Sequence, residues 1–125
     1  MTKPRPLSPH LQIYRPQMTS MMSIAHRATG VALTTGTVVV AIWLIALAMG
    51  DETYATVAGL LAHPLGQFVL FGYSAVLIYH ALNGIRHLSW DVGYGLTIPE
   101  VYRNGVIVLA LTVLLTAALW LSVWM

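Results

Sequence analysis

Three long apolar segments dominate the chain, running from about Ser20 to Met49, from about Pro64 to Trp90 and from about Asn104 to Trp124. Each exceeds the roughly 20 residues that a helix needs to cross a hydrocarbon core of about 30 Å. Short polar connections separate them. The pattern predicts an all-α membrane protein with three transmembrane helices, made of an N-terminal arm (1–19) and a three-helix anchor (20–125).

Composition supports the membrane assignment and excludes several kinds of site. The chain is 58% hydrophobic and 8% charged, whereas soluble domains average about 25% charged residues. So few charges could not cover a water-facing surface. The sequence has no cysteine, which excludes disulfides, thiolate metal sites and cysteine nucleophiles within this chain. No nucleic-acid-binding signature is present.

The basic residues predict the topology. The first connection, from Gly50 to His63, contains two acidic residues and no Lys or Arg, and the C-terminal end has none either. With three spans, all six basic residues fall on the side shared by the N-terminus and the second connection, from about Val92 to Arg103. The positive-inside rule makes that side cytoplasmic, or the matrix side in a mitochondrion. Four aromatic residues fit a belt at the outer interface: Trp43, Tyr54, Trp120 and Trp124.

The first segments carry two further signals. Four prolines interrupt the arm, and proline disfavours helix, so we expect an extended arm that is either a solvated tail or a contact with a soluble partner. Ala46-Leu47-Ala48 resembles a signal-cleavage site, but the apolar run before it is longer than the roughly 7–15 residues of a signal peptide. We therefore expect a retained span. The absence of an Arg- and Ser-rich transit peptide favours a bacterial or already mature chain.

The ionisable residues of the second span concentrate near its end. At about 100° per residue, positions 80, 84, 87 and 91 lie within about 60° of one another on a helix. This face carries His80, Gly84, His87 and Asp91, with Arg86 beside it. Ionisable groups at membrane depth are costly and indicate a functional site.

A second polar cluster opens the first span. Helical spacing places Ser23, Arg27 and Gly30 on one stripe, with His26 beside it. Arg27 could simply extend to the cytoplasmic interface, and the small residues could serve helix packing. Alternatively, a hydroxyl one turn from a guanidinium suits a polar ligand. The topology brings both clusters to the same leaflet, and this convergence favours a binding site.

Haem is a ligand that these histidines could hold. His80 and His87 lie about 10.5 Å apart along the helix axis, so they cannot both ligate one iron from opposite faces of a porphyrin. One could bind iron, and Gly84 would let a flat ring approach the backbone. The other axial ligand would be His26 or a histidine of a second subunit. Whichever of His80 and His87 does not bind iron could bind a propionate, as could His26, Arg27 or Arg86. Histidines that only pack against each other are the structural alternative.

Three motifs in order resemble the cytochrome b556 subunits of succinate dehydrogenase, respiratory complex II, over essentially the full chain. They are Ser8-Pro9-His10-Leu11-x-Ile13-Tyr14, then Ser23-Ile24-x-His26-Arg27-x-Thr29-Gly30, then His80-x-x-x-Gly84-Ile85-Arg86-His87-x-x-x-Asp91.

The resemblance implies a haem b held between this chain and a second anchor subunit in a heterodimeric helical bundle. His80 would be one axial iron ligand and the second anchor would supply the other. The resemblance also implies that His26, Arg27 and His87 surround the propionates, and that Asp91, near Arg86, belongs to a polar network at the cytoplasmic mouth.

The resemblance further implies a ubiquinone-reduction site lined by Ser23, Ile24 and Arg27. A hydroxyl can donate to a quinone carbonyl, and a guanidinium can stabilise charge developing on its oxygen. A chain without cysteine cannot hold the iron–sulfur centre that would supply the electrons. The implied partners are an iron–sulfur subunit, on which the arm would dock, a flavoprotein subunit and the bilayer.

The implied location is a bacterial inner membrane, with a mitochondrial inner membrane as the alternative. Three other functions remain open at this point. They are a fumarate reductase anchor, a self-contained haem b electron carrier with His26 and His80 as an in-chain ligand pair, and a structural anchor without haem.

Overall fold

The computed structural model describes residues 13–125 and contains four helices in that range. They are α1 (Met18–Met49), α2 (Asp51–Ala62), α3 (Pro64–Asp91) and α4 (Ile98–Trp124). Residues 1–12, which include most of the predicted arm and its first motif, lie outside the described residues.

Three of these helices, α1, α3 and α4, are long and apolar enough to cross a membrane. The prediction of an all-α membrane protein with three spans is therefore confirmed. Most large apolar side chains on these helices are exposed in the isolated chain. Such a surface suits lipid or another apolar helix, because water would not tolerate so large an apolar area.

The connections differ from the sequence expectation. The first connection contains the twelve-residue helix α2, which begins with Asp51 and Glu52, where negative charge favours the helix dipole. Between α1 and α2, Gly50 adopts a φ of 104°, which side-chain-bearing residues rarely adopt.

The third span also starts earlier than predicted, at Ile98 instead of about Asn104, so the second connection shrinks to residues 92–97. The physical reason is a capping box, in which Thr97 and Glu100 satisfy each other's backbone N–H groups. The predicted start of α3 is confirmed, because Pro64 is its first residue and His63 Nδ1 accepts a hydrogen bond from the Leu65 N–H.

Helices α1 and α3 pack through a close approach. The Tyr73 hydroxyl donates to the Ala32 carbonyl across 2.6 Å, and a Cβ added at the buried Gly36 would lie 1.7 Å from that hydroxyl oxygen. Six residues further along α3, Tyr79 donates to the Met22 carbonyl across 2.9 Å. Two phenols of α3 therefore bind the backbone of α1.

Helix α4 completes the bundle against both neighbours. Its buried Val108 packs in one cluster with Met22 and Tyr79. A Cβ added at Gly105 would lie 3.0 Å from Met22 Sδ, so α4 approaches α1 closely there. At the opposite end, the Trp120 indole N–H donates to the Ser74 hydroxyl across 2.9 Å. These contacts hold α4 against its neighbours at both ends of the bundle.

Candidate functional site

Three histidines from two helices meet where α1 begins and α3 ends. The rings of His26 and His80 stack with centroids 3.9 Å apart and planes 11° apart. His87 lies against the same His26 ring, with centroids 5.1 Å apart. The structure thus brings together the two polar clusters that the sequence places in one leaflet.

The His80 ring packs against α1 at Thr29 and Gly30. Thr29 Oγ1 lies 3.0 Å from His80 Nδ1, and the same hydroxyl donates to the His26 carbonyl across 2.9 Å. A Cβ added at Gly30 would lie 3.2 Å from His80 Cε1, closer than carbon atoms in ordinary contact. The sequence Thr29-Gly30 therefore provides one hydrogen-bonding group and the space beside it.

The His26 ring lies between the two histidines of α3 and over Gly84. A Cβ added at Gly84 would lie 3.8 Å from His26 Cε1, which is an ordinary contact distance. His26 Nδ1 is buried and has no hydrogen-bond partner among residues 13–125. A buried polar atom of this kind requires a partner, so the site is suited to a group that brings a hydrogen-bonding oxygen.

The His87 ring is held from within α3. Asn83 Nδ2 lies 3.4 Å from His87 Nε2, and the Trp90 indole meets the His87 ring edge-on at 5.0 Å. Asn83 is completely buried. It was not predicted, although its position four residues before His87 and three before Arg86 is the spacing at which helical side chains meet.

Arg86 points away from the histidines and joins α3 to α4. Its guanidinium donates to the Val101 carbonyl across 3.0 Å and to Asn83 Oδ1 across 3.2 Å, and it stacks 4.2 Å from the centre of the Trp90 ring. The side chain is 5% exposed. These contacts make Arg86 a buried link between helices. Asp91, predicted as its network partner, is exposed and makes no hydrogen bond or ion pair with it in the described part of the chain.

The three residues predicted to line a quinone site lie on an open surface of α1. Ser23 is partly buried, Ile24 is 57% exposed and Arg27 is exposed. They occupy the turn that leads into His26, so they adjoin the histidine cluster along the helix. Among the described residues, no helix covers this surface.

The two ends of the bundle differ in chemistry. Trp43 and Tyr54 pair with ring centroids 6.4 Å apart, and Trp120 and Trp124 pair at 5.4 Å. Trp43 lies about 25 Å from His26 along the axis of α1. The aromatic pairs and the histidine cluster therefore occupy opposite ends, the arrangement expected of a membrane-spanning bundle.

Comparison with known proteins agrees with this architecture. A family model described as succinate dehydrogenase/fumarate reductase transmembrane subunit matches residues 1–119. The chain is 43% identical over 116 residues to the succinate dehydrogenase cytochrome b556 subunit of Rickettsia prowazekii, covering 93% of this chain and 90% of that protein.

Mitochondrial proteins are similarly close. The chain is 44% identical over 119 residues to the succinate dehydrogenase cytochrome b560 subunit of Sus scrofa, covering 92% of this chain and 69% of that protein. It is 44% identical over 114 residues to the protein of the same name from Homo sapiens, covering 88% of this chain and 66% of that protein.

Proposed function

The chain belongs to the succinate dehydrogenase/fumarate reductase transmembrane subunit family, and from this premise we propose that it is the haem-binding membrane anchor of a succinate:quinone oxidoreductase. The observation that carries the proposal is the contact of His26, His80 and His87 at one end of three membrane-spanning helices. The relatives are named as cytochrome b subunits of succinate dehydrogenase, which favours this direction over a fumarate reductase anchor.

The residues present fit a haem b. Within the described chain, the hydrogen bond of the His80 ring involves Nδ1, so Nε2 is left to bind iron. The buried Nδ1 of His26, which has no partner among residues 13–125, can bind a propionate together with His87, whose ring lies against His26, and Arg27, the next residue of α1. Gly84 keeps the facing backbone free of a side chain. When bound, haem b supplies a one-electron carrier whose potential its axial ligands and surroundings set.

The second axial ligand is proposed to come from a second anchor subunit. A haem held by both residues would have to lie between their rings, whereas His26 and His80 are in face-to-face contact at 3.9 Å. That stacking leaves no space for a macrocycle between the two rings. It therefore argues against the self-contained carrier with His26 and His80 as ligands.

Ubiquinone is proposed to bind at Ser23, Ile24 and Arg27, with the site closed by partner subunits. The Ser23 hydroxyl can donate to a quinone carbonyl, while the Arg27 guanidinium, which has no carboxylate partner in the described part of the chain, can stabilise negative charge on the quinone oxygen. Both groups lie at the end of the bundle where the basic residues concentrate. Protons would therefore arrive from the cytoplasmic side.

The wider assembly follows from what this chain lacks. It has no cysteine for an iron–sulfur centre, and we propose that an iron–sulfur subunit delivers the electrons and that a flavoprotein subunit oxidises succinate. We propose an inner-membrane location, bacterial or mitochondrial, with the N-terminus on the cytoplasmic or matrix side, because all six basic residues then lie there.

Optical spectra of the assembled complex test the haem assignment. His80→Ala should abolish the six-coordinate b-type spectrum. His63→Asn is the matched control, because it changes a histidine at the opposite end and keeps a side chain that can cap α3. An unchanged spectrum in His80→Ala would remove His80 as the iron ligand.

Two turnover assays on one preparation test the quinone site. Ser23→Ala and Arg27→Leu should depress succinate:quinone turnover and leave succinate oxidation by an artificial dye intact. Ser122→Ala, which removes a hydroxyl at the opposite end, should affect neither. Equal loss of both activities would show that these residues serve assembly instead of quinone binding.

A further inference from the structure

Thr29 bridges the two stacked histidines through one hydroxyl group. Its oxygen lies 2.9 Å from the His26 carbonyl and 3.0 Å from His80 Nδ1. A carbonyl oxygen can only accept, and a threonine hydroxyl has a single hydrogen. With that hydrogen donated to the carbonyl, the shorter of the two contacts, the hydroxyl oxygen is left to accept the second bond from an N–H on His80 Nδ1.

The His80 ring is also fixed in rotation. The His26 ring stacks on the His80 ring with centroids 3.9 Å apart. Gly30 packs closely against His80 Cε1, because a Cβ added at Gly30 would lie 3.2 Å from that atom. A half-turn of the ring would place a carbon opposite Thr29 Oγ1 and lose the hydrogen bond. The contact with Thr29 therefore sets both the orientation of the His80 ring and which of its nitrogens carries the hydrogen.

We propose that Thr29 is a positioning residue that holds His80 as the Nδ1–H tautomer, so that Nε2 presents its lone pair to the haem iron. This inference rests on the haem-binding function proposed above. In a neutral imidazole one nitrogen carries the hydrogen and the other the lone pair. A metal-binding histidine that donates its other N–H becomes a stronger ligand, and such outer contacts typically change metal affinity by about 10- to 100-fold.

The test compares three variants in the assembled, detergent-purified complex. Thr29→Val keeps the shape but loses the hydroxyl, and Thr29→Ser keeps the hydroxyl. Thr35→Val is the matched control, because Thr35 makes the same kind of bond to its own helix, to the Ala32 carbonyl across 2.7 Å, and bonds to no histidine in the described part of the chain. If Thr29→Val does not assemble, Thr29→Ala, which adds no atom beside either ring, replaces it.

The readouts are the haem midpoint potential, the electron paramagnetic resonance signal of the ferric haem, and the rate of haem transfer to excess apomyoglobin. In Thr29→Val the potential should rise, because a weaker imidazole donor stabilises ferric iron less. The ferric signal should shift, and haem loss should be about tenfold faster or more. Thr29→Ser and Thr35→Val should match the wild type.

Three results would overturn the inference, and each identifies the step that fails. A Thr29→Val complex with wild-type potential, ferric signal and haem-loss rate, alongside a His80→Ala complex that lacks the six-coordinate spectrum, would refute the role of Thr29 alone. A His80→Ala complex that keeps the spectrum would refute the haem assignment itself. A shift in Thr35→Val equal to that in Thr29→Val would show a general effect of helix hydroxyls.

Discussion

Arg86 is the residue whose replacement best separates a structural role from a haem-binding one. We expect Arg86→Gln to weaken the junction between α3 and α4 while the complex keeps its six-coordinate haem. The reason is that the guanidinium binds the Val101 carbonyl and Asn83 instead of facing the histidine cluster. Glutamine keeps a donor and an acceptor but loses the charge, the planar fork and the ring contact.

The size of the effect follows from the contacts that are lost. Interhelical hydrogen bonds in membrane proteins average about 0.6 kcal/mol, and hydrogen bonds from charged groups in soluble proteins contribute about 1.5–3 kcal/mol. Two bonds from a 5% exposed guanidinium therefore contribute about 1–6 kcal/mol. The stack on Trp90 adds about 1–2 kcal/mol. Because glutamine recovers part of this, we expect a loss of about 3 kcal/mol, equivalent to roughly a hundredfold in population.

Hydrogen exchange of the complex in nanodiscs measures that population. The amides in the first turns of α4, near Val101, should exchange roughly a hundredfold faster, because exchange there requires the junction to open. Arg103→Gln, which removes an exposed charge from the same helix, should leave exchange unchanged. Wild-type exchange in Arg86→Gln, combined with a shifted haem potential, would refute this reasoning and make Arg86 a propionate ligand.

Three further substitutions test the packing and the helix start. Gly36→Ala should strongly reduce the amount of assembled complex, because the added methyl would occupy the position of the facing phenol, whereas Gly72→Ala, with nothing within 4 Å of its added Cβ, should assemble normally. Thr97→Val should destabilise the start of α4 by about 1 kcal/mol, seen as faster exchange of its first amides, while Thr56→Val in α2 should not. Gly84→Ala should preserve assembly, and selective loss of haem absorbance would show that a flat group lies against that backbone; full haem retention would contradict this.

The spans were predictable because their signal is strong and local. Twenty or more apolar residues in succession have few soluble interpretations, and the basic residues fall on one side. The short helix α2 and the early start of α4 were not predicted, because both lie where apolar content is lower and the signal is weaker. The Thr97-x-x-Glu100 pattern was a readable signal for the second of these.

The candidate site was predictable in part, because helical spacing reports faces but not neighbours. The spacing placed His80, Gly84 and His87 on one face, but it did not show which helix that face meets or that the His26 ring stacks on it. Arg86 illustrates the limit. Its charge suggested a ligand contact, yet one residue of offset rotates a side chain by about 100°, enough to direct it toward α4.

That offset explains how the same turns of α3 both pack against the neighbouring helices and carry the histidines. Tyr79, Asn83 and Arg86 form a buried stripe with spacings of four and three, in which Tyr79 bonds to α1 and Arg86 to α4. The histidine stripe has the same spacings one residue later, so its direction is fixed by the packing of the first stripe. Because Tyr79 and Arg86 make separate bonds to different helices, the loss of the Arg86 bond leaves the Tyr79 bond to orient the histidines. The same geometry predicts that inserting a single alanine after Leu77, which rotates both stripes together relative to the start of α3, abolishes haem binding more completely than any substitution in the first stripe.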